Sequence, residues 1–422
     1  MQFTHFLLAT LIIFGSMFFC ENVSAQENNF KVTGIAEVFG DGEKISTAIL
    51  EYPKTLNAKN ISAKNFEVAG KKIESVQVDG KKIILKFAYE NTSFDGNLNQ
   101  KPGNENRREK NFGKGDAPMR SNRKLPELNF SVKQVTEITA TDGTKFLPTE
   151  KVADKISAPV FESFKQFIYT DPATGNQMPY NLFLPEGYDA SKKYPLLFFV
   201  ADASANINEV TTPLFQGNGA TSFASKDFQT KNPCIILAPQ YTADLVEKIG
   251  MMTTDENIWT DGLTLTKNLL FDVIKNYSVD ENRIYGTGQS QGGMANIAIS
   301  DKYPELFAGL ILVACQWNVD EMEILKNKNL WIVVCEGDTK AFPEMNKAVS
   351  RWESLGVKVA KNPDFWNSKE SVAELNKKIR ELEKQNAKIN YTVFAGGNHM
   401  YTWSFAYNLD ELKNWLFSKK KS

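Results

Sequence analysis

Between Arg283 and Met294 the chain reads Arg-Ile-Tyr-Gly-Thr-Gly-Gln-Ser-Gln-Gly-Gly-Met, a strand-like run that passes through Gly288-Gln289-Ser290-Gln291-Gly292 into a helical pattern. Few backbone paths accommodate that succession. A strand that reverses into a helix over so few residues forces the central serine into a strained conformation, and glycines on both flanks let the turn close without side-chain clashes. The pattern predicts a nucleophile elbow, with the Ser290 hydroxyl exposed at a helix N-terminus where backbone N–H groups can meet a developing negative charge. A bare glycine-x-serine-x-glycine is common by chance, so the strand before it and the helix after it carry the inference. The alternative is a glycine-rich turn bearing a surface serine.

At 422 residues the chain is long for one domain and reads as two. A formal charge of -1 and a pI of about 6.3 give no electrostatic reason to expect nucleic acid or an acidic membrane as partner. Phe6 to Phe19 form an apolar run too short for a comfortable membrane span, and Val23-Ser24-Ala25 offers small residues for cleavage before Gln26. Residues 1–25 therefore read as an export signal, although Lys and Arg are missing from its start. The expected location is periplasmic or extracellular. Cleavage there leaves Cys234, Cys315 and Cys335, each in or beside an apolar strand-like run, as buried thiols rather than a disulfide framework. Metal ligands are scarce, and neither a metal nor another cofactor is expected.

Residues 26–156 carry alternating apolar residues and turns at Asp79-Gly80 and Asp142-Gly143, which predict a small antiparallel sandwich. Within it, residues 91–126 are rich in Asn, Gly, Lys and Arg and read as a disordered loop. From residue 157 to 422 strands alternate with helices, which implies an α/β domain whose mostly parallel sheet is covered on both faces. Eight strands are expected: Phe164 to Tyr169, Asn181 to Leu184, Leu196 to Val200, Cys234 to Ala238, Arg283 to Gly286, Leu310 to Ala314, Trp331 to Val334 and Tyr391 to Phe394. Ser371-Val-Ala-Glu374 forms a capping box before Val372, Leu375, Ile379 and Leu382, so a covering helix follows.

A serine hydroxyl near neutral pH needs a base, most often an imidazole held by a carboxylate. The chain has two histidines, and His5 lies in the expected signal, leaving His399. It follows the last expected strand in Ala395-Gly-Gly-Asn-His399, where a glycine loop can deliver it to Ser290. The third member should end a strand between the two, and Asp338 in Trp331-Ile-Val-Val-Cys-Glu-Gly-Asp338 occupies that place; Glu336 and Asp320 are the alternatives. The order Ser290, Asp338, His399 is that of the α/β-hydrolases. An oxyanion hole would draw on the Gln291 N–H and on the loop after the third strand, at Ala203 or else Ser204. Trp317, past a strand end, either lines an acyl or aromatic pocket or packs in the core.

Val38-Phe-Gly-Asp-Gly-Glu-Lys-Ile45, Asn65-Phe-Glu-Val68, Val200-Ala-Asp-Ala-Ser204, Gly288-Gln-Ser-Gln-Gly292 and Gly397-Asn-His399 together resemble secreted bacterial esterases with an N-terminal immunoglobulin-like domain. The resemblance covers nearly all the chain except the 91–126 loop. Many such relatives have His-Gly where this chain has Ala201-Asp202, which bears on loop geometry. The resemblance implies an α/β-hydrolase fold and a Ser-His-Asp site that hydrolyses carboxylic esters, some relatives being related to carbohydrate and feruloyl esterases. A short link between the strands ending near Ala314 and starting near Trp331 leaves little room for a lid, favouring an open cleft and a soluble ester over a lipid interface; short-acyl, aryl or carbohydrate-linked esters are the expected substrates. A serine peptidase and an inactive binding module of the same fold are the alternatives. The first domain can orient the second, cover its cleft or support a homo-oligomer.

Overall fold

The computed structural model describes residues 30–89 and 128–421. The expected leader, with His5 and Cys20, lies outside the described residues, as does the expected loop over 91–126.

The first ten strands are β1 (Lys31–Phe39), β2 (Gly42–Glu51), β3 (Phe66–Glu67), β4 (Ile73–Asp79), β5 (Lys82–Phe87), β6 (Ser131–Gln134), β7 (Ile138–Thr139), β8 (Lys145–Phe146), β9 (Thr149–Val152) and β10 (Lys155–Ser157). They form a five-stranded sheet in the order β10-β1-β2-β5-β4, a three-stranded sheet β3-β6-β9 and a two-stranded ribbon β7-β8. Alternation works as the sequence predicts: Val32, Ala48, Leu50, Ile83 and Leu85 turn inward and are fully buried or nearly so, with Phe30, Tyr52 and Val132 closing the core. Both expected turns are present, with Gly80 and Gly143 at positive φ. The pairing is antiparallel except for β10, which runs parallel to β1 on its way out of the unit.

Nine further strands build one sheet in the order β11-β12-β14-β13-β15-β16-β17-β19-β18. They are β11 (Lys165–Thr170), β12 (Gln177–Phe183), β13 (Tyr194–Val200), β14 (Ile235–Pro239), β15 (Val279–Gln289), β16 (Gly309–Val313), β17 (Leu330–Cys335), β18 (Val359–Lys361) and β19 (Ile389–Phe394). The eight expected strands are all there, and the ninth, β18, is a three-residue edge too short to leave a periodic signal. β12 is antiparallel to both its neighbours, and all the pairs from β13 onward are parallel.

A parallel strand covered on both sides shows no polar face, and β13 illustrates the consequence. Leu196, Phe198 and Val200 join Leu263, Leu269 and Ile297 on one side, while Leu197 and Phe199 join Tyr407, Trp415 and Leu416 on the other. Burying each such Leu or Phe contributes about 1.5–3 kcal/mol, so the strand is fixed from both faces. The helix Val372–Glu383 is capped by Ser371, whose hydroxyl accepts from the Glu374 N–H at 3.2 Å, and it buries Leu375, Ile379 and Leu382. Val372 faces solvent instead.

Candidate active site

The elbow forms where β15 ends. Ser290 has φ 50° and ψ -121°, a conformation costing a non-glycine residue about 1–3 kcal/mol. It is held from both sides: its N–H donates to Val313 O on β16 at 3.0 Å, and its carbonyl accepts from the Met294 N–H at 3.0 Å as the helix Gln291–Lys302 begins. The flanking glycines serve close backbone packing. A Cβ on Gly288 would come 2.6 Å from Val200 O, and one on Gly292 would overlap that same carbonyl. The elbow therefore rests directly on the end of β13.

The loop after β19 brings the imidazole. Gly396 and Gly397 take φ of 60° and 70°, and a Cβ on Gly337 would overlap the Gly397 carbonyl, so the loops after β17 and β19 pack backbone to backbone. The Gly337 N–H donates to Gly396 O at 3.0 Å, and the Gly396 N–H donates to Glu336 Oε2 at 3.0 Å. His399 is thereby placed with Nε2 2.7 Å from Ser290 Oγ and Nδ1 2.7 Å from Asp338 Oδ2. Of the three carboxylates considered, Asp338 is the one at the imidazole. Glu336 holds the glycine loop, and Asp320 is exposed beside the 321–327 turn.

Asp338 is 1 % exposed. Burial opposes its ionisation, but the hydrogen bond and charge of His399, with the Lys340 and Ala341 N–H groups on Oδ1, outweigh it and hold the carboxyl below its usual range. Burial likewise disfavours the imidazolium of His399, yet the hydrogen bond and charge of Asp338 and the charge of Asp202 carry the balance, and its pKa is raised. Lys340 acts against them. The imidazole is thus held through Nδ1 and faces a hydroxyl through Nε2, the arrangement a general base requires.

The loop after β13 opens with Asp202, 2 % exposed, whose Oδ1 accepts from the Ser204 N–H at 2.7 Å. That bond commits the Ser204 N–H. Among the described residues, the N–H groups of Ala203 and Gln291 donate to no other group. Asp202 itself is what the sequence reasoning missed: burial pushes its pKa up, and its charge reaches His399. The signal was visible as an aspartate closing the apolar run Phe198-Phe-Val-Ala-Asp202.

Trp317 is placed in the core. It is 3 % exposed, packs in the cluster that contains Met294, Met322 and Leu325, and donates its indole N–H to Glu321 Oε2 at 2.7 Å. The indole is large enough to serve either pocket or core, and its burial in that cluster places it in the core. Among the described residues no group of three or more His, Cys, Asp or Glu could hold a metal ion, and no helix is long and apolar enough to cross a membrane.

Residues 31–147 match the family described as the esterase Ig-like N-terminal domain. The chain carries an esterase-type Ig-like domain. Behind that domain the fold is an α/β-hydrolase, and the whole chain is similar to a thermostable esterase of known structure, 22% identical, over 92% of this chain and 99% of that one, at a TM-score of 0.67. Other likenesses cover about three fifths of the chain. A feruloyl esterase module from Clostridium thermocellum, complexed with sinapinate, is 13% identical over 62% of this chain and 93% of its own (TM-score 0.41). A ferulic acid esterase from Anaeromyces mucronatus, in complex with ferulic acid, is 14% identical over 61% and 90% (TM-score 0.37). No curated protein matches the chain.

Proposed function

We propose that the chain is a serine hydrolase of carboxylic esters in which Ser290 is the nucleophile, His399 the base and Asp338 its orienting carboxylate. The observation that carries this reading is the continuous relay of two 2.7 Å contacts, Ser290 Oγ to His399 Nε2 and His399 Nδ1 to Asp338 Oδ2, at a strained elbow. Ser290 Oγ attacks the ester carbonyl carbon while its proton passes to Nε2, and the carbonyl π pair moves to oxygen. The Gln291 and Ala203 N–H groups are the proposed donors to that oxyanion. Collapse breaks the carbon–oxygen bond of the leaving alcohol, which takes the proton from Nε2. Water then gives a proton to His399, attacks the acyl carbon, and releases the acid as Ser290 recovers its proton.

Support for esters over amides comes from the Ig-like domain, whose family is described through esterases. Between β16 and β17 the chain makes only the short turn at 321–327, too little for a large lid, which favours a soluble ester over a lipid interface; short-acyl, aryl or carbohydrate-linked esters are the proposed substrates. Export through the 1–25 leader belongs to the same proposal.

Fluorophosphonate labelling of the wild type and of Ser290→Ala, followed by turnover of aryl esters, acylated sugars and peptide amides, tests the reading. Labelling confined to the wild type with ester turnover is expected. Equal labelling of both proteins would remove Ser290 from the mechanism, and faster peptide cleavage would make the chain a peptidase.

A further inference from the structure

The loop that bears Ala203 and the elbow that bears Gln291 come from different parts of the chain, and an oxyanion hole works only if their two N–H groups converge on one point. Glycines at 288 and 292 let the two backbones touch at Val200, but contact alone does not set the angle of a loop that has no glycine between Val200 and Asn206. Two buried ties span the gap. Gln291 and Asn206 exchange hydrogen bonds in both directions, Gln291 Nε2 to Asn206 Oδ1 at 3.1 Å and Asn206 Nδ2 to Gln291 Oε1 at 3.3 Å, with the two residues 2 % and 4 % exposed. On the other side of the serine, Gln289 Nε2 donates to Asp202 Oδ2 at 3.2 Å and to Gln216 O at 3.0 Å, and the Gln216 side chain in turn donates to Ser204 Oγ. Asp202 thus holds its own turn with one oxygen and the elbow with the other.

We propose that the side chains of Gln289 and Gln291 are positioning residues that clamp the 202–206 loop to the elbow and so set the separation of the two oxyanion donors. The proposal rests on the ester-hydrolase reading above. Neither side chain needs to touch substrate. Gln291 has two separable parts, because its backbone N–H is the proposed donor and its amide reaches back to aim the partner loop. A reciprocal amide pair suits such a clamp because both groups are desolvated, so each is costly to leave unpaired, and its two bonds resist rotation.

The experiment compares Gln291→Met, Asn206→Ala, Gln289→Met and the pairwise combinations on one aryl ester, with active sites counted by fluorophosphonate titration so that kcat refers to folded, labelled enzyme. Each single variant is expected to lower kcat about 10- to 100-fold, less than or equal to the loss from removing an oxyanion donor outright, with KM changed less than about threefold. Gln291→Met with Asn206→Ala should cost no more than the worse of the two, since they break one tie, whereas Gln291→Met with Gln289→Met should multiply. Binding of an aryl trifluoromethyl ketone, whose adduct places an oxyanion in the hole, should weaken in step with kcat. The exchanged pair Asn206→Gln with Gln291→Asn keeps the amide contact and should recover most of the lost rate. Unchanged kcat in labelled enzyme, a loss confined to KM, or multiplicative losses for the 206 and 291 variants would overturn the clamp. A wild type that does not label would instead overturn the hydrolase reading beneath it.

Discussion

Gly40, in the turn between β1 and β2 of the Ig-like domain, lies against the backbone of Ser404, so closely that a Cβ at residue 40 would overlap the Ser404 carbonyl. Ser404 sits five positions after His399, in the short helix Trp403–Ala406. Beside this contact, Tyr89 donates to Asp41 Oδ1 at 3.0 Å and reaches the side chain of Asn408, which also accepts from Asn218 Nδ2 at 2.7 Å. The first domain therefore packs against the segment that follows the imidazole.

Gly40→Ala should consequently act at a distance. Relief of the overlap requires either the hairpin or the 403–408 segment to move, at a cost of about 1–3 kcal/mol for overpacking. The expected outcome is a lower melting temperature together with a reduced kcat/KM, measured by thermal unfolding and ester turnover. An active enzyme with only its melting temperature changed would mean that the hairpin yields and His399 does not.

Ser290 predicts an exchange of activity for stability. Its φ of 50° is tolerated by glycine and strained for any residue with a Cβ. Ser290→Ala and Ser290→Gly should both lose turnover by roughly 10⁴-fold or more. Only Ser290→Gly is expected to gain stability, on the order of 1 kcal/mol relative to Ser290→Ala, as read from denaturant midpoints.

The acid limb of the pH–rate profile should lie above the ordinary imidazole range. His399 must be neutral to accept the Ser290 proton, and Asp338 and Asp202 raise its pKa, so kcat/KM should fall as pH drops through that raised value. Asp338→Asn should move the limb to lower pH and reduce kcat by roughly 10⁴-fold. The stability linkage has a definite sign for each group. The raised pKa of His399 contributes stability that is fully present below its unfolded value of 6.5 and is lost as pH rises through the folded one. The lowered pKa of Asp338 contributes stability present above its unfolded value of 3.8 and lost as pH falls through the folded one. Denaturant unfolding of wild type and Asp338→Asn across pH checks both.

Thiol titration gives a separate test. Cys234, Cys315 and Cys335 are free and 0 % exposed, and burial pushes the thiols of Cys234 and Cys335 up to about 12. None should react with an aromatic disulfide reagent in the native protein at neutral pH, since the thiolate is the reactive form. In denaturant, protein cleaved after Ala25 as proposed should show these three thiols, and the full 422-residue chain should show a fourth, Cys20.

What could be read before folding follows from what was scarce. With His399 the one histidine beyond residue 5, and with glycines bracketing Ser290 and preceding His399, few assignments of the proposed relay were possible, and the strand order narrowed Asp338 further. The eight long strands of the sheet were legible because apolar runs of that length have few other uses. β18 was not, since three residues at a sheet edge carry no period. The Gln291–Asn206 pair was equally silent: amides 85 positions apart have no shared signature, and only tertiary contact reveals that they face each other. Trp317 shows the same limit from the apolar side, because an indole near a strand end does not declare whether it meets solvent or core.

The imidazole rides on the loop after β19, behind every other strand of its sheet. A chain still emerging from the ribosome holds Ser290 without the His399 imidazole until residue 399 has followed and β19 has docked beside β17. Under the proposed mechanism, hydrolytic competence therefore waits for the far end of the sheet.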